Sequence, residues 1–470
     1  MKILIGFSVL LLSIGVQAQI LTPEIIEKCE SGIDNSPSEK AIISAISGND
    51  LKSIALNREN IATNDHKFKY RVDVSGITDQ KSSGRCWMFT SLNVLRPKVM
   101  EKYSLPNFTF STNYLYFYDL LEKSNLFLEQ VILTRKLGMN EDMGPLVAKV
   151  GKKESGQTVS WLFKSCIGDG GVWNSFVNLA EKYGVVPASA MPETYHSENT
   201  GMLNRLLRRK LREEGLKLRE AKSETVAREI KTESLKEIYR ILVLTLGQPP
   251  KTFQWRYTDK EDKLSLFKEY SPKEFYDEFV GVNLEEYVML MNDPTRPYYK
   301  LYEISYDRNV LEGKNWKYVN LPANELKNIA KESIKNNEAL YASCDVGKQL
   351  NSKEGLCAVD NYLYGDLLGV EFGMDKSKRI LTGESGSSHG MALVAVDVDS
   401  NENTVMWQFE NSWGSNSGHN GYLTFTDDWF SEYMFRIVPN KRFVSEAILK
   451  IFDTEAIVLP PWDPMFQADE

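Results

Sequence analysis

The residues best suited to carry chemistry in this chain include a cysteine that opens a predicted helix. Cys86 starts a segment with apolar residues at helical spacing, which runs to Tyr103, and the start signal Ser82-Ser83-Gly84 precedes it. A thiol at a helix N-terminus, next to an imidazolium, can have its pKa lowered from ~8.5 to well below neutral. Cys86 is therefore the candidate nucleophile of a thiol-dependent hydrolase.

A histidine and an asparagine further along the chain fit the other two roles of such an enzyme. Of the four histidines, only His389 directly precedes an apolar strand pattern, whereas the others lie in polar loops (His66, His196 and His419). Asn411 could accept the second N–H of that imidazole and fix its orientation, with Trp413 shielding the bond from water. Gln80 could join the Cys86 backbone N–H as the oxyanion hole.

Each of these residues also has an ordinary structural explanation. Cys86 could be a small buried hydrophobe, His389 a core residue whose hydrogen bonds are satisfied, and Asn411 a turn former. The chain order Gln, Cys, His, Asn and the residues that flank each position favour the catalytic interpretation. We therefore expect nucleophilic hydrolysis that requires neither a metal nor a cofactor.

The segments around these residues are similar to one branch of a known family. DQKSSGRCW at 79–87 and ENSWG at 410–414 resemble the bleomycin hydrolase and aminopeptidase C branch of the papain-like cysteine peptidases. Other resembling segments are DGGVW (169–173), EKYGVVP (181–187), MNDP (291–294), CDVGK (344–348), GYL (421–423), WFSEY (429–433) and WDPM (462–465). The resemblance extends from about residue 65 to 465.

The spacing of the site agrees with that branch. His389 follows Cys86 by 303 residues and Asn411 follows it by 325, whereas simple papain-like enzymes place these residues ~130–150 downstream. Roughly 150 or more residues are therefore inserted between nucleophile and base. The insertion coincides with the charged, mostly helical pattern at about 125–340.

The resemblance implies an α+β, papain-like two-domain fold, with a helical left domain carrying Cys86 and a β-barrel right domain carrying His389. It also implies a homo-hexamer whose active sites face inward. In this branch a C-terminal arm lies in the cleft and its terminal carboxylate, here that of Glu470, holds the substrate's free amino group. Gly170 and Gly171 match the segment that pairs with the substrate backbone, although an ordinary tight turn would also explain them.

The ends of the chain depart from the branch. Residues 1–18 combine Lys2, an apolar run and Val16-Gln17-Ala18, which predicts a signal peptide cut after Ala18 and an exported, periplasmic or secreted protein. The apolar run is shorter than the roughly 20 residues of a spanning helix, and no later stretch is long enough. The tail at 466–470 is bulkier and more acidic than is usual in the branch.

The predicted layout is a signal peptide (1–18), an N-terminal arm (19–70), a peptidase domain (71–465) with a helical insertion at about 125–340, and the tail (466–470). The formal net charge of −8 argues against nucleic acid as a partner. The insertion contains a basic amphipathic segment, 203–222, whose leucines share one face and which is a candidate contact for another subunit. Five cysteines make no disulfide scaffold, and pairing of Cys344 with Cys357 stays open.

These observations predict an exported cysteine aminopeptidase that forms an acyl-enzyme on Cys86. One alternative is a papain-like endopeptidase or dipeptide-releasing enzyme, which applies if the altered tail leaves the cleft open. Another is a catalytically silent exported binding protein on the same fold. The presence of Cys86, His389, Asn411 and Gln80 together argues against the silent protein, and the NSWG motif favours a papain-like enzyme over another Cys–His hydrolase such as an amidase.

Overall fold

The computed structural model describes residues 18–34, 36–143, 158–461, 463 and 465. The predicted signal peptide, apart from Ala18, and the tail at 466–470 lie outside these residues. The chain divides into two compact units, Met1–Leu56 with Leu363–Val370, and Asn57–Tyr362 with Glu371–Glu470. All candidate site residues that the structure describes belong to the second unit.

The helices of the described residues are short in the first unit and longer in the first half of the second. In chain order they are α1 (Pro23–Glu30), α2 (Pro37–Gly48), α3 (Leu51–Ala55), α4 (Arg58–Thr63), α5 (Cys86–Lys102), α6 (Thr112–Thr134), α7 (Val159–Lys164), α8 (Trp173–Tyr183), α9 (Tyr195–Glu198), α10 (Thr200–Glu220), α11 (Glu224–Leu246), α12 (Pro272–Glu274), α13 (Ala323–Lys335), α14 (Tyr364–Leu368), α15 (Lys376–Leu381), α16 (Asp427–Tyr433) and α17 (Glu446–Leu449).

The strands cluster in the second half of the chain. In chain order they are β1 (Tyr70–Arg71), β2 (Phe253–Trp255), β3 (Lys268–Tyr270), β4 (Leu290–Met291), β5 (Lys300–Ile304), β6 (Lys317–Asn320), β7 (Leu340–Cys344), β8 (Leu350–Asn351), β9 (Leu356–Cys357), β10 (His389–Val398), β11 (Thr404–Glu410), β12 (Tyr422–Thr426), β13 (Met434–Val438) and β14 (Ile457–Leu459).

In the first unit, helices α1, α2 and α3 begin at polar caps. The side chains of Thr22, Ser36 and Asp50 each accept a backbone N–H from the first turn of α1, α2 and α3 respectively. The short α14 also belongs to this unit, and the N–H of Leu363 donates to the carbonyl of Ala55 over 2.8 Å. The predicted N-terminal arm (19–70) therefore contains the four short helices α1 to α4, of which α4 belongs to the second unit.

Helix α5 is the central helix of the second unit, and it begins at Cys86 as the sequence predicts. Nearly all of its side chains between Trp87 and Met100 are buried, which explains why its apolar pattern runs around the helix. It lies against β10. Arg96, in the third turn of α5, forms a buried ion pair with Glu410 at the end of β11. This pair ties the helix to the sheet.

The long helices α10 and α11 pack against each other and against α6. Leu203, Leu207, Leu211 and Leu218 of α10 are all buried, so the predicted leucine face is confirmed. Some of the basic residues form ion pairs, including Lys210 with the buried Glu214 at 2.7 Å. The long helices of the insertion therefore pack through a shared apolar interface.

The main sheet is mixed and contains most of the strands. Its pairing order is β14-β5-β6-β4-β13-β7-β10-β11-β12-β9-β8, with β1 added to β10. Strand β10 lies between β7 and β11, both antiparallel to it, and His389 stands opposite Cys344 of β7. The strand that the sequence predicts directly after His389 is present as β10. The α+β fold class is confirmed.

The predicted helical insertion at about 125–340 requires a correction. The segment is helical as far as Leu246, but it then contributes β2 to β6, between Phe253 and Asn320. The missed strands are short, and charged residues flank their few apolar positions, so the alternating signal is weak. Three of them, β4, β5 and β6, are stabilised by burial within the main sheet, a tertiary effect that local pattern does not reveal.

Within the described residues, no helix combines the length and the apolar character that a membrane crossing requires.

Candidate active site

The candidate nucleophile and base meet where α5 approaches β10. Cys86 is the first residue of α5 and is partly exposed, whereas His389 is the first residue of β10 and is buried. Burial raises the pKa of the Cys86 thiol, but the charge and hydrogen bond of His389, with the backbone of Gly390 and Trp87, bring it below its usual value. Each group therefore stabilises the charged form of the other.

The imidazole shows the complementary change. Burial lowers the pKa of His389, but the charge and hydrogen bond of Cys86 and the hydrogen bond with Asn411 raise it above its usual value. The positive end of α5 favours a thiolate at the same place. The site therefore favours a thiolate and imidazolium pair, which is the reactive form of a cysteine nucleophile.

Asn411 orients the imidazole. Its Oδ1 lies 2.9 Å from His389 Nε2, and the same oxygen accepts the backbone N–H of Ser412 over 2.8 Å. A carbonyl oxygen can only accept, so Nε2 carries a proton and Nδ1 is left for the thiol. Strand β11 places Asn411 here, because Glu410 pairs with Ala392 of β10 and Asn411 follows directly.

Trp413 covers this hydrogen bond, as the sequence predicts. Its ring centroid lies 4.8 Å from that of His389, with a 33° angle between the planes. Asn411 is 1% exposed, while Trp413 is partly buried. The aromatic side chain therefore keeps water away from the imidazole and its partner.

The Gln80 side-chain amide is held by hydrogen bonds at both ends. Its Nε2 donates one hydrogen to the carbonyl of Ser83 over 2.7 Å, and the second amide hydrogen stays available for another acceptor. Ser412 Oγ donates to Gln80 Oε1 over 2.7 Å, which fixes the orientation of the amide. The backbone N–H of Gln80 also donates to the carbonyl of Ser412. One tripeptide, 411–413, therefore orients both the imidazole and the Gln80 amide.

The glycine pair lies beside the residue that follows the nucleophile. A Cβ on Gly171 would come within 2.6 Å of the Trp87 ring, so only glycine allows this close approach. Gly170 is exposed, and its carbonyl accepts the Lys123 ammonium over 2.6 Å. The structure thus places Gly171 against the Trp87 ring, and the pairing of either glycine with a substrate backbone stays a prediction.

Some candidate residues fall elsewhere. Glu470 lies outside the described residues. His66 and His419, which show no neighbouring chemistry in the sequence, stack on each other with ring centroids 3.8 Å apart. None of the five cysteines, all of which lie among the described residues, forms a disulfide: Cys166, Cys344 and Cys357 are buried, Cys86 is partly exposed and Cys29 is exposed. Burial raises the pKa of Cys344 well above its usual value and so disfavours its thiolate, although the residue stands opposite His389.

Two polar residues of the site were not recognised from the sequence. Ser412 lies within the ENSWG segment and Asp169 within the DGGVW segment, yet their hydrogen-bond partners are remote in sequence. A signal was present, since both residues belong to motifs shared with the branch, but only the fold reveals their partners. Among the described residues, no three His, Cys, Asp or Glu side chains come together in a way that could hold a metal ion.

Comparison with known proteins agrees with this geometry. The sequence profile of the Peptidase C1-like family matches residues 20–466. The chain belongs to this family. It is 39% identical to bleomycin hydrolase of Mus musculus over 430 residues, 88% of this chain and 91% of that protein. It is 36% identical to aminopeptidase C of Listeria innocua over 433 residues, 92% of this chain and 95% of that protein.

A solved structure has the same fold. PepW from Lactobacillus rhamnosis superimposes with a TM-score of 0.88 at 32% identity, covering 95% of this chain and 98% of PepW. The predicted resemblance to the bleomycin hydrolase and aminopeptidase C branch is therefore confirmed. The protein is a papain-like cysteine peptidase. The assignment of individual roles to Cys86, His389, Asn411 and Gln80 stays a prediction, which the geometry supports.

Proposed function

We propose that this peptidase is an exported cysteine aminopeptidase that removes N-terminal residues through an acyl-enzyme on Cys86. The observation that carries the proposal is the joined set of Cys86 at the start of α5, His389 at the start of β10 and Asn411 after β11. Relatives that cover most of the chain are named aminopeptidase C and bleomycin hydrolase, which supports this class of substrate.

The proposed reaction uses the pair of charges in the site. The Cys86 thiolate forms a C–S bond with the peptide carbonyl carbon, and the carbonyl electrons move to the oxygen. Gln80 Nε2 and the Cys86 backbone N–H donate to that oxyanion. His389 then gives its Nδ1 proton to the leaving amine as the C–N bond breaks, leaving a thioester. Water gives a proton back to His389, attacks the thioester and releases Cys86 as the thiolate.

The restriction to N-terminal residues is proposed to come from the tail. In the related branch, a terminal carboxylate in the cleft binds the substrate's amino group, and here the tail ends in Asp469-Glu470. Its negative charge would attract a substrate ammonium and disfavour an acylated N-terminus, which carries no charge. The proposal for the tail rests on that resemblance, since residues 466–470 lie outside the described structure.

Export and assembly form the remaining parts of the proposal. The apolar run and the Val16-Gln17-Ala18 pattern support cleavage of a signal peptide after Ala18. A homo-hexamer is supported by the resemblance and by apolar side chains that α10 and α11 expose, which include Leu206, Leu216 and Leu244. N-terminal sequencing of the purified protein would test the first point. Light scattering during gel filtration would test the second.

The decisive experiment compares two substrates that differ only at the amino group. A panel of fluorogenic aminoacyl amides and their N-acetylated twins is given to the mature protein under reducing conditions, beside Cys86→Ala. Cleavage of the free-amine series alone supports the aminopeptidase. Cleavage of both series supports the endopeptidase alternative. Activity that Cys86→Ala retains would overturn Cys86 as the nucleophile.

A truncated form lacking residues 466–470 isolates the contribution of the tail. We expect it to gain activity on N-acetylated substrates while keeping its thiol reactivity, because the deletion leaves Cys86 and His389 untouched. Unchanged discrimination in the truncated form would contradict the proposed role of the tail. It would leave the peptidase assignment standing.

A further inference from the structure

Asp169 joins the loop before the nucleophile to the segment that contains the glycine pair. It lies between α7 and α8 and is partly buried. Its Oδ2 accepts the backbone N–H of Gly84 over 2.8 Å and also the hydroxyl of Thr200. Its backbone carbonyl accepts the indole N–H of Trp87 over 2.8 Å. One residue thus contacts the chain on both sides of Cys86.

The bond to Gly84 acts on a peptide group that also binds Gln80. The N–H of Gly84 and the carbonyl of Ser83 belong to the same rigid, planar peptide group. Asp169 holds the N–H end of that group, while Gln80 Nε2 donates to the carbonyl end over 2.7 Å. A carboxylate that accepts the N–H also polarises the group and makes its carbonyl a stronger acceptor. The orientation of the Gln80 amide therefore depends on Asp169.

With the Asp169 carboxylate in this position, there is no room for a Cβ at position 84. A Cβ on Gly84 would lie 2.8 Å from Asp169 Oδ1. The missing side chain is what lets the carboxylate reach the backbone. Gly84 and Asp169 therefore form a matched pair at the loop that carries both proposed oxyanion donors, Gln80 and the Cys86 N–H.

We propose that Asp169 is a positioning residue for the oxyanion hole, acting through the Ser83–Gly84 peptide group on Gln80. The inference deepens the proposed function, on which it rests. It predicts a specific kinetic signature. Loss of the Asp169 carboxylate lowers kcat for amide hydrolysis, whereas formation of the Cys86 thiolate, which depends on His389, continues.

The test compares Asp169→Ala with Asp169→Asn. Asp169→Ala lowers kcat by about tenfold, the scale of one lost hydrogen bond to a charged group, with a smaller change in KM. Asp169→Asn keeps an oxygen that can accept the Gly84 N–H and restores kcat to within about threefold of wild type. Alkylation of Cys86 by iodoacetamide, measured across pH, stays within about twofold in both variants because that reaction forms no oxyanion.

A double-mutant cycle with Gln80→Ala shows whether Asp169 acts through Gln80. Gln80→Ala alone lowers kcat by about 10²- to 10³-fold. In that background, Asp169→Ala costs less than about twofold, since the amide that it positions is gone. Asp399→Ala is the matched control, because its carboxylate also accepts backbone N–H groups but lies in the turn after β10, at the far end from His389. It leaves kcat unchanged.

Three results would overturn the inference while leaving the proposed function intact. One is an unchanged kcat in Asp169→Ala. Another is a full tenfold loss in the Gln80→Ala background, which would mean that the two residues act independently. An equal loss of alkylation and of kcat would also contradict it, since that pattern indicates general damage to the fold. A wild-type protein no more active than Cys86→Ala would instead refute the proposed function itself.

Discussion

Two polar pairs connect the same helix to the same sheet, and they behave differently. Cys86 of α5 faces His389 of β10, while Arg96 of α5 faces Glu410 of β11. The first pair is at the start of the helix and partly exposed. The second is almost fully buried, and Arg96 Nη2 contacts both oxygens of Glu410 at 2.7 and 2.6 Å and the carbonyl of Gly76 at 2.9 Å.

The difference is one of charge balance. In the catalytic pair, the pKa of the thiol is lowered and that of the imidazole is raised, so both groups are held in their charged forms. In the buried pair, burial raises the pKa of Glu410 to about 7 in spite of Arg96. The outer pair, Cys86 with His389, therefore favours reactivity. The inner pair, Arg96 with Glu410, fixes the end of β11 and so the position of Asn411.

Breaking the outer pair should have the largest effect. In His389→Ala, the thiol loses the imidazolium while burial still raises its pKa, and no group returns a proton to the leaving amine. We expect the kcat/KM for aminoacyl amides to fall by at least about 10³-fold, with the thermal midpoint nearly unchanged. His419→Ala, which removes a histidine stacked on His66 instead, is the control and should lose less than about twofold. Comparable losses in both variants would contradict the assignment.

Breaking the inner pair should affect stability rather than chemistry. Arg96→Met leaves the Glu410 carboxylate buried without its partner, which should lower the free energy of unfolding by about 3–5 kcal/mol. Urea unfolding followed by fluorescence measures this loss. The double variant Arg96→Met/Glu410→Gln removes the uncompensated charge and should recover most of it. A double variant as unstable as the single one would show that the pair is not what stabilises this interface.

The pH dependence of stability sharpens the contrast. The pKa of Glu410 is about 7 in the folded protein and 4.5 for the unperturbed group. Its contribution to stability is therefore fully present below pH 4.5 and is lost as the pH rises through about 7, because the unfolded chain ionises first. We expect Glu410→Gln to abolish this part of the pH dependence in urea unfolding experiments. An unchanged profile would mean that the pKa of Glu410 is the same in the folded and the unfolded protein.

The bond that links the two pairs should have an intermediate effect on catalysis. Asn411 follows Glu410 and accepts from His389, so Asn411→Ala leaves the imidazole present but free to rotate. We expect a loss of about 10- to 150-fold in kcat/KM, the scale of one hydrogen bond to a charged group. Steady-state kinetics on the free-amine substrate measures it. A loss as large as that in His389→Ala would mean that Asn411 does more than orient the ring.

The smallest effect that we predict concerns how the activity of the wild-type enzyme depends on pH. Activity should fall on the acid side as Cys86 takes up a proton and on the alkaline side as His389 loses one. The acid limb should lie below the ordinary thiol pKa of 9.0, and the alkaline limb above the ordinary imidazole pKa of 6.5. The two apparent values belong to the pair, not to either group alone. A profile that rises steadily towards pH 9 would contradict the ion pair.

The sequence predicted the elements of the site better than the contacts that support it. Recognisable sequence motifs surround the four residues Cys86, His389, Asn411 and Gln80, and the structure brings these residues together. Asp169 and Ser412 went unrecognised because their partners are brought to them only by the fold. The strands β4 to β6 were missed because their stability comes from neighbours in the sheet rather than from local pattern. Signal-peptide cleavage, the hexamer and the role of Glu470 stay predictions.

The pairing of early and late segments has a consequence for when the enzyme becomes active. Strand β1 (Tyr70–Arg71) pairs with β10, and the backbone N–H of Gln80 donates to the carbonyl of Ser412. The part of the site that contains Gln80 and Cys86 is therefore completed by segments that are synthesised hundreds of residues later. Such long-range closure is slow and depends on the finished chain. A growing or unfolded polypeptide therefore carries Cys86 as an ordinary thiol. Folding itself is the activation step, and the chain cannot act as a peptidase while it is being made.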